Sequence, residues 1–320
     1  MNISPRDNRC GITLLPEHAG MCQSLVFTAS DGRSIDVIAG CTEQELASGN
    51  PWYRGYWLYP FPSRLANGKY TWQERDYRLP LNEPERDNAL HGFLTGVTPE
   101  VTDRNIQQDS AEVTLRYQYD GTNPGYPFPG EVTVTYRLQS PGHLTISVSV
   151  MNLHDAPVPV GTGWHPYFSF GGKVDDLCLQ LPAGDLVAVD ERLLPTGPLT
   201  PFTDFAALSR INDLTIDSAL KLHATGDTRA QALLWSPDKQ VGIVTWQDTG
   251  SESGAGYRYL QIFIPPDRAS IALEPVSCGI NAFNTGENLL VLAPGQHRVF
   301  TNGVSLVNSA GEFSTTVRAE

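Results

Sequence analysis

The sequence predicts an all-β protein, a large antiparallel β-sandwich, and three observations carry that expectation. Apolar residues recur at every second position in many segments, turn residues punctuate those segments at short intervals, and strong helical periodicity is hard to find. The chain has 29 glycines and 24 prolines in 320 residues, a composition that favours many turns and short strands over long helices. Large all-β domains reach this length, and no linker divides the chain, so residues 1–320 are expected to form a single domain.

The elements follow in order. Residues 24–29 and 35–39 flank Asp31-Gly32 and read as a hairpin. Residues 113–119 form the next strand. Val132, Val134, Tyr136 and Leu138 then alternate with Thr133, Thr135 and Arg137. After the turn Ser140-Pro141-Gly142, Leu144, Ile146, Val148 and Val150 alternate with Thr145, Ser147 and Ser149. One apolar and one polar face per strand marks a sheet with one side on a core. Residues 204–210 are the place for one short turn of helix. Residues 232–235 and 241–246 make a further hairpin around Ser236-Pro237-Asp238-Lys239. The polar stretch 248–256 reads as a mobile loop. Strands follow at 259–264 and 270–273, with two more around Ala293-Pro294-Gly295. Strands throughout, separated by turns, argue for stacked antiparallel sheets.

The formal net charge of −13 argues against nucleic acid and anionic membranes as partners. The five cysteines, Cys10, Cys22, Cys41, Cys178 and Cys278, are odd in number and scattered, without a Cys-x-x-Cys pair. Free thiols in a reducing compartment are the simplest account. The first residues lack the apolar run of a signal peptide, and no stretch approaches transmembrane length. A soluble cytoplasmic protein, monomer or homodimer, is expected.

Four segments carry chemistry: Pro60-Phe61-Pro62-Ser63-Arg64, Asn88-Ala89-Leu90-His91-Gly92-Phe93, Gly163-Trp164-His165-Pro166-Tyr167-Phe168 and Ala272-Leu273-Glu274-Pro275. Together they offer a cation, two imidazoles and a carboxylate among aromatic, Gly and Pro residues. That set suits the opening and closing of a sugar ring. Singly, Arg64 reads as the rim of an aromatic cluster and His91 as a hydrogen-bonded structural histidine. His165, restricted by Pro166 to an extended backbone, is equally a buried structural imidazole or a general acid. Glu274 emerges from an apolar strand and is either a base or the partner of a cation such as Arg268. Asp217 is a turn residue or an acceptor for sugar hydroxyls. His143, His154, His223 and His297 lie in polar settings and are assigned no chemistry. The sequence lacks His-Glu-x-x-His, Gly-x-Gly-x-x-Gly, Walker and Gly-x-Ser-x-Gly patterns, so no metal, no cofactor and no serine hydrolase is expected.

In this order the segments resemble the aldose 1-epimerase (galactose mutarotase) family. The likeness runs from Ala39 to Pro294-Gly295 and includes Arg64 with Asn67-Gly68, His91-Gly92, His165 with Tyr167-Phe168, and Glu274 with Asn281-Ala282-Phe283. The resemblance implies a large β-sandwich of many antiparallel strands and a small-molecule sugar substrate. It implies Glu274 as the base at the anomeric hydroxyl and His165 as the acid at the ring oxygen. His91, Arg64 and Asp217 are implied as groups that hold the sugar. Trp164 and Pro166 around His165, and Pro275-Val276 after Glu274, differ from the best-known galactose mutarotases and resemble a broader branch. The implied activity is mutarotation of a free aldose. One alternative is a hexose 6-phosphate substrate, for which Arg54, Arg75 and Arg78 are conceivable anchors. Another is a sugar-binding or sugar-sensing protein without turnover.

Overall fold

The computed structural model describes residues 1–223, 228–250 and 256–313. Its largest element, among these residues, is a nine-stranded sheet. At its centre Gly130–Gln139 pairs antiparallel with His143–Asn152, which pairs in turn with His297–Val307. Val134 stands opposite Val148 and Tyr136 opposite Ile146. These residues are buried, while Thr133, Thr135 and Ser147 on the other face are half-buried, as the alternation requires.

A second sheet of eight strands runs Pro195–Pro201, Gly184–Val189, Asp217–Leu222, Tyr259–Phe263, Ile271–Val276, Gly163–Trp164 and Trp57–Leu58, with Tyr167–Phe168 also paired to Ile271–Val276. Leu260, Ile262, Ile271 and Leu273 point inward and join Val134, Ile146 and Val148 in one core. The two sheets are also pinned by a polar contact: the Trp57 indole donates to the Tyr136 hydroxyl at 2.6 Å. Trp57 stacks on Trp164 at 5.8 Å, and each buried side chain of this size contributes about 1.5–3 kcal/mol. The N-terminal sheet, Asn2–Ile3, Cys10–Leu15, Met21–Thr28 and Ser34–Asp36, adds Ile12, Leu14, Leu25 and Phe27 to the same core. All five cysteines are free thiols. Among the described residues no helix is long and apolar enough to cross a membrane.

Some local expectations change. Residues 204–210 form no helix; Ser209–Arg210 is a strand that pairs with Cys178–Gln180, and Ile211 donates to the Leu177 carbonyl. Sheet pairing there outweighs a weak helical preference. A helix does form at Glu43–Ala47 and opens on a capping box: Glu45 donates its backbone N–H to the Thr42 hydroxyl, and Thr42 donates its backbone N–H to the Glu45 carboxylate. The strands around Ala293-Pro294-Gly295 do not pair with each other. Leu290–Leu292 pairs with Val158–Val160, and His297–Val307 lies in the large sheet. The polar stretch 248–256 begins with Asp248 still in a strand, and its residues 251–255 lie outside the described residues.

Candidate active site

The strand of Glu274 does not end at that residue. Ile271–Val276 continues through Pro275, so Glu274 projects from the middle of a strand with neighbours on both sides. Gln261 pairs directly with Glu274, and Ala219 with Gln261. On the other side Gly163 pairs with Val276 and Tyr167 with Ala272. Carried between those two points, the register places His165 opposite Glu274. Pro166, which has no N–H to give a ladder, interrupts the strand there. His165 is held by other hydrogen bonds: it donates to the Tyr56 carbonyl at 3.0 Å, and its own carbonyl accepts from Gly55 at 2.8 Å.

The result is a close pair. His165 Nε2 lies 3.4 Å from Glu274 Oε1, and both residues are buried, at 6% and 2% exposure. His165 Nδ1 and Glu274 Oε2 have no hydrogen-bond partner among the described residues. The imidazole is flanked by Tyr167 at 5.1 Å and Tyr53 at 6.4 Å, both nearly parallel to it. Arg54, buried beneath, lays its guanidinium 4.4 Å from the Tyr167 ring centre and donates to Ser270.

The same sheet face forms the floor of a cavity of about 760 Å³, within the usual size for ligand sites. Asp217, Gln261 and Glu274 lie on it, with Arg64, His91 and His165 on the walls. Arg64 and His91 arrive together because Arg64–Ala66 pairs with Asn88–Leu90. His91 donates its backbone N–H to the Ser63 carbonyl, and its Nδ1 lies 2.8 Å from the Pro62 carbonyl. Its ring centre stands 5.2 Å from that of His165. Thus all five residues singled out from sequence line one cavity. Arg268, the alternative partner for Glu274, instead pairs with Asp175 at 2.7 Å.

Sequence reasoning missed Glu83 and Gln261. Glu83 is buried and receives Arg64 through Nε at 3.0 Å and Nη2 at 3.0 Å, with Asn88 Nδ2 at 2.8 Å and Arg86 at 3.2 Å. A planar guanidinium gripped along its Nε–Nη2 edge presents its other edge in a fixed direction. No local pattern around Glu83 signals this. Gln261 had a signal, being the polar position in Tyr-Leu-Gln-Ile-Phe; it donates to Asp217 Oδ1 at 2.7 Å.

Burial sets the electrostatics. It pushes Glu274 well above the usual carboxylate range, aided by the charge of Asp217 and opposed by Arg64. It pushes His165 well below the usual imidazole range, and His91 adds to that. Burial also raises Asp217, against the pull of Arg64 and Arg86. Burial in a dry site thus disfavours the charged form of both groups. His91 is lowered by burial from 6.5 to about 4. An unfolded chain takes up that proton first as the pH falls, so the stability associated with His91 is complete above pH 6.5 and drains away down through about 4. Glu274 has the opposite sign, its contribution being lost as the pH rises through its raised value. The urea midpoint is expected to fall between pH 6.5 and 4 in the wild type and to fall less in His91→Asn. Equal slopes in the two proteins would remove His91 as the source.

The loop that delivers His91 depends on one glycine. His91 and Gly92 both have left-handed backbone, φ 61° and 66°. A Cβ on Gly92 would lie 2.1 Å from the Tyr59 carbonyl oxygen. Gly92→Ala is expected to destabilise by about 2–4 kcal/mol in urea unfolding, from the strained φ and the backbone clash together. An unchanged midpoint would mean that the loop relaxes freely.

Comparison with known proteins is consistent with this architecture. The sequence profile of the family described as aldose 1-epimerase matches residues 20–303. An Escherichia coli relative, the uncharacterized protein YihR, is 30% identical over 301 residues, 89% of this chain and 90% of its own length. Galactose mutarotase of Mus musculus is 32% identical over 180 residues, 53% of this chain and about half, 49%, of the mouse protein. Among solved structures, a galactose mutarotase-like protein from Clostridium acetobutylicum superposes with a TM-score of 0.81 at 21% identity, covering 96% of this chain and 94% of that one, a likeness of fold. With the profile spanning most of its length, the chain belongs to the aldose 1-epimerase family.

Proposed function

We propose that the protein is a mutarotase that interconverts the α and β anomers of a free aldose. The observation that carries this reading is the 3.4 Å contact between His165 and Glu274 on the floor of the cavity. The ring oxygen and the anomeric hydroxyl of an aldose are bonded to the same carbon, so an acid and a base that serve them must be near neighbours. Glu274 takes the proton from the anomeric hydroxyl while His165 gives one to the ring oxygen. The hemiacetal opens to an aldehyde, the C1–C2 bond turns, and closure with the roles exchanged yields the other anomer.

Burial tunes both groups for these roles. A carboxylate with a raised pKa is a stronger base, and an imidazolium with a lowered pKa is a stronger acid. Ring opening turns a buried ion pair into a neutral pair, which the dry site favours. Arg64, held by Glu83, and His91 orient the ring, and Asp217 with Gln261 accepts and donates at its hydroxyls. No bond to carbon requires a protein nucleophile. The free thiols support a cytoplasmic setting.

The arginines considered for a 6-phosphate do not gather at this cavity. Arg54 is buried beneath Tyr167, and Arg75 and Arg78 lie on the separate hairpin of Lys69–Trp72 and Arg75–Arg78. Polarimetry on freshly dissolved single anomers of several aldoses, with glucose 6-phosphate included, tests the proposal. Faster equilibration of a neutral aldose is expected. Binding without acceleration of any of them would favour a sugar sensor.

A further inference from the structure

We propose that Arg54 is a positioning residue of the acid–base pair: through the ring of Tyr167 its buried cation holds His165 and favours release of the proton that the imidazole carries. This rests on the mutarotase reading and adds to it a group outside the cavity. Arg54 is 5% exposed and is not among the residues that line the cavity. Its place is fixed at both ends of its own backbone. The Arg54 N–H donates to Asn50 Oδ1 at 2.9 Å, and its carbonyl accepts from Asn50 Nδ2 at 2.9 Å. The next residue, Gly55, donates to the His165 carbonyl, so Arg54 and His165 stand on neighbouring backbones. The side chain reaches the same imidazole by a second route. Its guanidinium lies 4.4 Å from the Tyr167 ring centre, and that ring stacks on His165 at 5.1 Å and 15°. The Tyr167 hydroxyl donates to the Trp52 carbonyl at 3.0 Å, which anchors the ring.

The charge of Arg54 is poorly answered. A guanidinium stays protonated across the working pH range. Ser270 Oγ accepts from Nη1 at 3.1 Å, but Nε has no hydrogen-bond partner among the described residues. Glu45 Oε1 stands 3.5 Å from Nε, and the same carboxylate accepts from the Thr42 N–H in the capping box. A buried cation so loosely paired is costly, and packing against Tyr167 alone would be met by an uncharged side chain. Its field falls on His165. Burial is the chief reason that His165 lies below the usual imidazole range, His91 comes next, and Arg54 and Arg64 push the same way. The other groups that face the imidazole are Glu274, at 3.4 Å, and the phenols Tyr53 and Tyr167. In the proposed reaction the Nε2–H bond of the imidazolium breaks as the ring oxygen gains that proton. The anomeric O–H bond breaks as Glu274 gains the other. Loss of the imidazolium charge relieves its repulsion from Arg54, so the cation favours the transfer.

The experiment records kcat and KM against pH for the wild type and two variants. Arg54→Gln keeps a planar polar group without the charge, and Arg54→Lys keeps the charge without the plane. Glu274 and His165 share their protons, so both limbs of the profile belong to the pair. Arg54→Gln is expected to move both limbs to higher pH by on the order of one unit and to lower kcat about tenfold, with KM little changed. Arg54→Lys is expected to keep the limbs at the wild-type pH and to recover most of kcat. Glu45→Gln removes the nearest counter-charge, leaves Arg54 in place and is expected to move the limbs a smaller distance to lower pH. Limbs that stay at the wild-type pH in Arg54→Gln, or in Glu45→Gln if the first variant does not fold, overturn the proposal. So does a lysine variant as slow as the glutamine one. If the wild type accelerates no aldose, the mutarotase reading itself falls, and the proposal with it.

Discussion

Glu274→Gln is expected to slow mutarotation by about 10²–10⁴-fold, the usual worth of a positioned base, and to leave the fold intact. The amide matches the carboxyl in shape but cannot take a proton. The strand around Glu274 is paired on both sides, so the backbone has no reason to move. Oε2 has no partner among the described residues, so replacing it breaks no hydrogen bond there. Exchanging a buried ionisable group for a neutral one also removes a desolvation cost, and the unfolding midpoint should stay level or rise. The loss should fall on kcat, with KM little altered, because the groups proposed to hold the ring, Gln261, Asp217, Arg64 and His91, are unchanged. Polarimetry and urea unfolding on the same preparation provide the check. A folded variant within about tenfold of the wild-type rate would refute Glu274 as the base.

His165→Asn is expected to cost a similar factor, about 10²–10⁴, with a different side effect. The imidazole fills the space between Tyr53 and Tyr167, and a shorter side chain leaves part of it open. Some stability should therefore go with the rate, on the order of 1–2 kcal/mol. The double variant distinguishes the mechanism from two independent contributions. In the proposed mechanism acid and base act in one step, so losing both should cost little more than losing either. Fully multiplicative losses would mean that Glu274 and His165 act on separate events.

Alternation made the large sheet legible because its strands have one face on the core, and a period of two is then imposed on the residues themselves. Where both faces are covered, as along Arg229–Ser236 and Val241–Asp248, the signal weakens to an apolar run, though the turn between them still marks the hairpin. The five site residues were visible as unusual chemistry beside Gly, Pro and aromatic neighbours. Their convergence was not, since it depends on the register of Ile271–Val276 against two short strands far away in sequence. Glu83 was hidden for the same reason: its value lies in an arginine on another strand. Residues 204–210 misled because a few residues of weak helical preference carry no trace of the strand that recruits them.

Under the proposed mechanism, the placement of Glu274 at mid-strand divides the labour of this protein. The atoms proposed to handle protons ride on paired backbone that resists change, and other parts of the cavity wall are connecting segments that contain Trp52, Thr215 and Pro265-Pro266. Such segments accept replacement and insertion far more readily than a sheet interior does. Descendants of this chain could acquire new sugars by redrawing those margins and inherit the chemistry unaltered.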